Sequence, residues 1–320
     1  MPTWGPVYPD ATPGPLSRHT PVPSYRHVGF RQRQTFVRLR GYLVAGRADG
    51  GNQTEGETVT KLAAVAVVLA LVPTVPAGTW AQPTSANPAV FRVVVLDLST
   101  HGAVETGTGF FINSDGTALT VSHLASLVTL NPTKRLAAVV SGEVYAADVV
   151  CASRLSYDPT ISVPGLYSLH TGSRDVAEIK LRPGNDLPLP GGVLSWQTLD
   201  GQQVQLATAH TGALPAFPAL QMGKGMGSGD SVAVIGYAGP NSAMTQDRAL
   251  GTVRSVERAP DRTPVGVLQF GAGSAPVAGF SGAPVLNTAG QVVGMLAWID
   301  ASNHTQGYAE GSQALMPACR

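Results

Sequence analysis

The chain of 320 residues holds only two cysteines, Cys151 and Cys319. Their separation matches no metal-binding pattern, which excludes a zinc-ribbon framework and leaves two readings open: a disulfide in an oxidising compartment, or a pair of buried thiols. Charged residues amount to only 13%, too few for long solvated helices. The formal net charge of +1 gives no broad field, so neither a nucleic-acid scaffold nor a strongly acidic partner is expected. His19, His27, His101, His170 and His210 are scattered without ligand spacing, so neither a metal nor a cofactor is expected. What the chain does have is 37 glycines and 25 prolines. Together with the scarce charge, they point to many short strands joined by tight turns, an all-β protein long enough for one or two substantial cores.

Residues 1–58 are rich first in Pro and then in Arg, with no sustained apolar period, and are expected to be disordered. The apolar run Leu62–Val72 follows Lys61 and precedes Pro73 and Pro76, with Ala77 and Ala81 as cleavage sites, so residues 59–81 read as a secretory signal peptide. An uncleaved membrane anchor is the alternative, although the run falls short of the about 20 residues that span a bilayer. Some sixty residues ahead of a signal are abnormal, and a translation start near Val59 is the reading that removes them. The mature, secreted or extracytoplasmic domain is then residues 82–320.

That domain reads as strands at Val90–Leu98, Gly109–Ile112, Ala118–Val121, Leu136–Val140, Val144–Val150 and Val176–Leu181. A second set lies at Val193–Trp196, Val204–Thr208, Ser231–Tyr237, Gly251–Val256, Val265–Phe270, Pro284–Leu286 and Val292–Trp298. Asp115-Gly116 and Asp200-Gly201 are turn signals. Two closed β units follow, about 88–190 and about 191–306, joined near Pro183–Gly192. Only the tail, about Tyr308–Ala318, carries a helical pattern, and it is short.

The segment Gly279-Phe-Ser-Gly-Ala-Pro284 sets Ser281 among glycines just before an apolar strand. Such a backbone turns tightly enough for the N–H groups of Gly279 and Ser281 to face one oxygen, an oxyanion hole, although a plain Gly/Ser turn reads equally well from six residues. Upstream, Thr106-Gly-Thr-Gly-Phe-Phe-Ile-Asn-Ser-Asp-Gly-Thr-Ala-Leu-Thr-Val-Ser-His-Leu124 forms a hairpin pattern ending on His123. Between them, Arg174-Asp-Val-Ala-Glu-Ile-Lys-Leu181 places Asp175 at the head of an alternating strand. Asp148 and Asp158 are the other acids in reach, but neither opens such a strand.

These segments resemble chymotrypsin-like serine proteases, in particular the bacterial Deg/Htr and glutamyl-endopeptidase types. Gly229–Tyr237, Gly251–Arg258 and Gly290–Leu296 resemble successive strands of the same family's second barrel. The resemblance implies two antiparallel Greek-key β-barrels with a short C-terminal helix, and a triad of His123, Asp175 and Ser281 in the chymotrypsin chain order. It implies a monomeric endopeptidase acting on peptides or proteins, touching a membrane only if residues 62–81 stay uncleaved. It also implies a specificity pocket walled by Ala275, Ala278, Ala297, Trp298, Ile299 and Gly307, small or apolar residues that suit an apolar P1 side chain. Ala283 departs from a common glycine, so its methyl is either tolerated or narrows the site. Phe280 stands where zymogen-activated animal enzymes have an aspartate, so activation by a freed N-terminus is not expected.

The main alternative is a catalytically inactive protease fold that binds peptides. An α/β-hydrolase reading of Ser281, Asp300 and His304 fails on spacing and on the absence of alternating helices. Gly223-Lys-Gly-Met-Gly-Ser-Gly229 looks like a phosphate loop but lacks the Gly-Lys-Ser/Thr ending.

Overall fold

The computed structural model describes residues 86–153, 174–197, 203–239, 245–259, 262–300 and 303–315. The expectations for residues 1–58 and 59–81, for the Asp200-Gly201 turn, and for Asp158, His170 and Cys319 lie outside the described residues.

The long apolar runs become strands because their side chains are buried on both faces. β1 (Val90–Asp97) is buried along almost its whole length. It pairs with β2 (Gly102–Phe111) on one side and β4 (Lys134–Val140) on the other. β3 (Thr117–Thr120) follows β2 through the Asp115-Gly116 turn. There the Asp115 carboxylate accepts the Thr117 N–H and hydroxyl at 3.0 and 2.8 Å, and Gly116 takes φ +88°. A short helix α1 (Ser122–Thr129) succeeds β3, and β5 (Glu143–Ala152) and β6 (Ala177–Arg182) complete the ring. The strand order β4-β1-β2-β3-β6-β5, closed by β4 on β5, is a six-stranded antiparallel barrel. Phe91, Val93, Val95, Phe111, Leu119 and Ile179 fill it.

The hairpin β7 (Val193–Gln197) and β8 (Gln203–Ala209) is a correction to the sequence reading, which opened the second barrel at about 191. β8 pairs with β5, so the hairpin extends the first sheet. The outward face of β1, β4 and β5 carries Val94, Leu96, Val139 and Val144, and Leu194, Leu206, Leu187 and Leu189 cover it. Apolar periodicity locates a hairpin but does not say which sheet it shields.

The second barrel begins at β9 (Ser231–Tyr237) and runs through β10 (Gln246–Arg258), β11 (Pro264–Phe270), β12 (Pro284–Leu286), β13 (Val292–Ile299) and β14 (Gln306–Gly311). Its closed order β10-β11-β14-β13-β12-β9 repeats the first barrel's topology: three strands in succession, then the sixth, fifth and fourth. The short C-terminal helix expected from the sequence is present, but it starts later than expected. Tyr308–Gly311 belongs to β14, whose residues bond to β11 on one side and β13 on the other and so close the barrel. Among the described residues of the tail, helix forms as α2 (Ser312–Leu315). Among the described residues no helix is long and apolar enough to cross a membrane.

Candidate active site

β3 and β6 are antiparallel neighbours, with Thr120 opposite Ala177. The residues just beyond that pair, His123 in the first turn of α1 and Asp175 at the entry to β6, are therefore brought together by sheet register. His123 Nδ1 lies 2.7 Å from Asp175 Oδ2. The backbone N–H of His123 and the hydroxyl of Ser122 both donate to Asp175 Oδ1 at 2.9 Å. Asp175 is fully buried, and its own N–H donates to Glu310 Oε1 on β14, 3.2 Å away. A buried carboxylate left without such donors would bear the full cost of desolvation. Burial pushes the His123 pKa down, but the Asp175 charge and hydrogen bond, helped by Glu105, outweigh it and hold the pKa above its ordinary value.

Trp298, expected on the wall of a specificity pocket, stacks on the His123 ring with centroids 4.8 Å apart and planes inclined by 29°. Ile299 and Gly307 are direct ladder partners on β13 and β14. Ala297 is buried, Ala275 is half-buried against the second core, and Ala278 is exposed on the segment leading to Gly279. A cavity of about 310 Å³, lined by Asn87, Val139, Ser141, Leu206 and Gln246 among others, shares none of these residues.

Ser281 is half-exposed between two glycines of left-handed backbone, Gly279 at φ +98° and Gly282 at φ +89°. Both need the absence of a Cβ: one at Gly279 would stand 2.5 Å from the Tyr237 carbonyl, and one at Gly282 would run into the Thr108 carbonyl. Phe280 between them is buried in the second barrel's core. Gly282 N–H donates to Leu296 O and Ala283 N–H to Phe280 O, each at 2.8 Å. Ala283 joins that same core, so its methyl fills the barrel and does not narrow the site. Among the described residues the N–H groups of Gly279 and Ser281 meet no acceptor. No hydrogen bond joins Ser281 Oγ to His123 among those residues.

β2 passes between His123's helix and the serine loop. A side chain at Gly107 would collide with Leu124 and stand 2.9 Å from the Ser281 carbonyl. The expected His, Asp and Ser segments thus converge where the barrels meet. Ser122, Glu310 and Thr108 contribute contacts that sequence reasoning did not assign. Ser122 and Thr108 lie inside the quoted motifs, but nothing linear marks their partners; Glu310 carried no signal. Asp148 pairs instead with Arg182 at 2.8 Å on the outer surface. Among the described residues no cluster of three or more His, Cys, Asp or Glu has metal-holding geometry.

Two like-wound six-stranded barrels with a buried acid, a histidine and a glycine-flanked serine at their junction define a serine-peptidase architecture. The model of the trypsin-like peptidase domain matches residues 107–295, and the chain belongs to that family: it is a serine endopeptidase. No curated protein matches the chain. Among solved structures it is similar to the active form of the Rv3671c protease from M. tuberculosis, at 18% identity over 72% of this chain and 78% of that one, with a TM-score of 0.44. It is similar also to the inactive form of that protease, at 20% identity, 72% and 86% coverage and a TM-score of 0.42. The serine endoprotease from Yersinia pestis matches at 17% identity, 72% and 61% coverage and a TM-score of 0.44.

Proposed function

We propose that this endopeptidase works through a His123–Asp175–Ser281 triad and an acyl-enzyme intermediate. Ser281 Oγ attacks the peptide carbonyl carbon while its proton passes to His123 Nε2. The same proton then goes to the leaving amine as the C–N bond breaks, and a water, deprotonated by His123, releases the acyl group. Asp175 holds Nδ1–H toward itself, which leaves Nε2 free to accept and stabilises the imidazolium. The N–H groups of Gly279 and Ser281 receive the carbonyl oxygen as it becomes charged. The observation that carries this reading is the double hold of one buried carboxylate on both Nδ1 and the backbone of His123.

The residues assigned to the specificity pocket, Trp298, Ile299, Ala275 and Ala278 among them, carry no carboxylate themselves, which supports an apolar P1 residue. Export is supported by the 59–81 segment and by Cys151, which is disulfide-bonded; the enzyme then acts outside the cytoplasm as a monomer with its signal removed. An active-site fluorophosphonate is expected to label the wild type and not Ser281→Ala, with casein digestion lost in parallel. Retained labelling would refute the nucleophile, and binding of casein without turnover in the wild type would favour the inactive-fold alternative. Cleavage of a peptide library should fall after apolar residues; strict cleavage after Arg or Lys overturns the pocket assignment. Mass spectrometry of secreted protein should find a mature N-terminus near residue 82, and an intact, cell-bound chain would refute export by cleavage.

A further inference from the structure

Thr108 occupies the variable position of the Gly-x-Gly-Phe segment on β2 and is fully buried. Each of its polar atoms is engaged. Its N–H donates to the Ser281 carbonyl at 2.8 Å, and its hydroxyl donates to the Gly279 carbonyl at 2.8 Å. That hydroxyl also accepts the Tyr237 N–H at 3.1 Å. Its own carbonyl accepts the Thr120 hydroxyl at 2.8 Å.

Two of these bonds end on carbonyls that bracket the nucleophile. A peptide unit is planar, so holding its C=O fixes the orientation of the whole unit. Thr108 therefore fixes the peptide after Gly279 and the peptide after Ser281, the two ends of the short arc that bears the Ser281 side chain and N–H. Glycine has the widest backbone freedom of any residue, and this arc lies between two of them. The second barrel anchors it through Phe280, whose side chain lies between the two carbonyl restraints. The fourth bond ties Thr108 to Thr120, the last residue of β3, three positions before His123.

We infer that Thr108 is a positioning residue, reaching from the first barrel to hold the serine loop of the second in register with His123. The inference rests on the reading of Ser281 as nucleophile. Its effect is on geometry at the reacting atoms, where a misplacement of about 1 Å costs on the order of 10²-fold in rate.

The test is steady-state kinetics on the full chain with an apolar-P1 peptide amide, with kcat expressed per site titrated by fluorophosphonate burst. Thr108→Val removes the hydroxyl and keeps the bulk; Thr108→Ala removes it without pressing a methyl on the Gly279 carbonyl; Thr108→Ser keeps it. Both hydroxyl-free variants are expected to lose about 10- to 100-fold in kcat with KM within about threefold, and Thr108→Ser to stay within about threefold of wild type. A peptide boronate, which mimics the tetrahedral state, should weaken in step with kcat. Wild-type kcat per titrated site in whichever hydroxyl-free variant folds overturns the inference, as does a loss in Thr108→Ser equal to that in the others. Ser281→Ala is run alongside. If it still turns over, the nucleophile reading fails; if it is inactive while the Thr108 variants match wild type, only the role of Thr108 fails.

Discussion

Glu105 shows how a single exposed charge reaches the chemistry. It lies two residues before Gly107 on the same side of β2, and its charge helps hold the His123 pKa above the ordinary 6.5. His123 must be neutral to accept the serine proton, so kcat/KM should rise with pH through a midpoint above that value. Glu105→Gln removes an anion that favours imidazolium and should shift the acid limb of the kcat/KM profile to lower pH with an unchanged plateau. Because Glu105 is exposed, the difference between the two enzymes should shrink as salt shortens the screening length, about 10 Å at 0.1 M. An unmoved limb at low salt would show that its charge does not reach the imidazole. The three residues proposed as the triad stand out in the sequence because each sits in a distinctive local setting: a strand end after a hairpin, the head of an alternating strand, and a glycine-flanked turn. Ser122, Thr108 and Glu310 were not, because what each does depends on a partner 53, 171 and 135 residues away.

At the level of elements, strands were legible and their assignment to sheets was not. Apolar runs such as Val90–Leu96 announce a strand buried on both sides, and they imply that something must cover the outer face. They do not say that Leu194 and Leu206 from a later hairpin supply the cover. Leu194→Ala should therefore destabilise the domain by about 2–5 kcal/mol, the usual range for a buried leucine. Its kcat per titrated site should stay at the wild-type value, since the hairpin covers the opposite side of β1 and β4 from the first barrel's interior. Urea denaturation and active-site titration measure the two quantities separately. Helix α1 escaped notice for a different reason. Its eight residues include Val, Thr and two serines, poor helix formers, and Val121 before it provides no side-chain cap. It is held by burial of Leu124 and Ala125, a tertiary effect. The tail was legible in part: its helical pattern does end in helix at Ser312–Leu315, but Tyr308–Gly311 is taken by the strand that closes the barrel.

For the molecule as a whole, the two barrels share one winding order and meet through a common apolar cluster, in which Ile235, Leu286, Val292 and Met295 join Phe91, Phe111 and Leu119, and through specific polar contacts. Arg92 on β1 donates to the Ala238 carbonyl at 2.9 Å and lies 5.4 Å from the centre of the Tyr237 ring. Asn87 and Gln246 exchange hydrogen bonds at 2.6 and 2.8 Å. Thr108 and Glu310 complete the junction from opposite directions. The proposed catalysis thus depends on two barrels packed against one another through a shared apolar cluster, whose alignment matters to within about 1 Å. The loop that carries Ser281 is seated by Phe280, a hydrocarbon plug within the second core. Such a plug has no charge to titrate and no counter-ion to wait for. The serine loop is accordingly set once its own barrel has folded and Thr108 of the first barrel has closed on the Gly279 and Ser281 carbonyls, and no ionisation is needed to shape it.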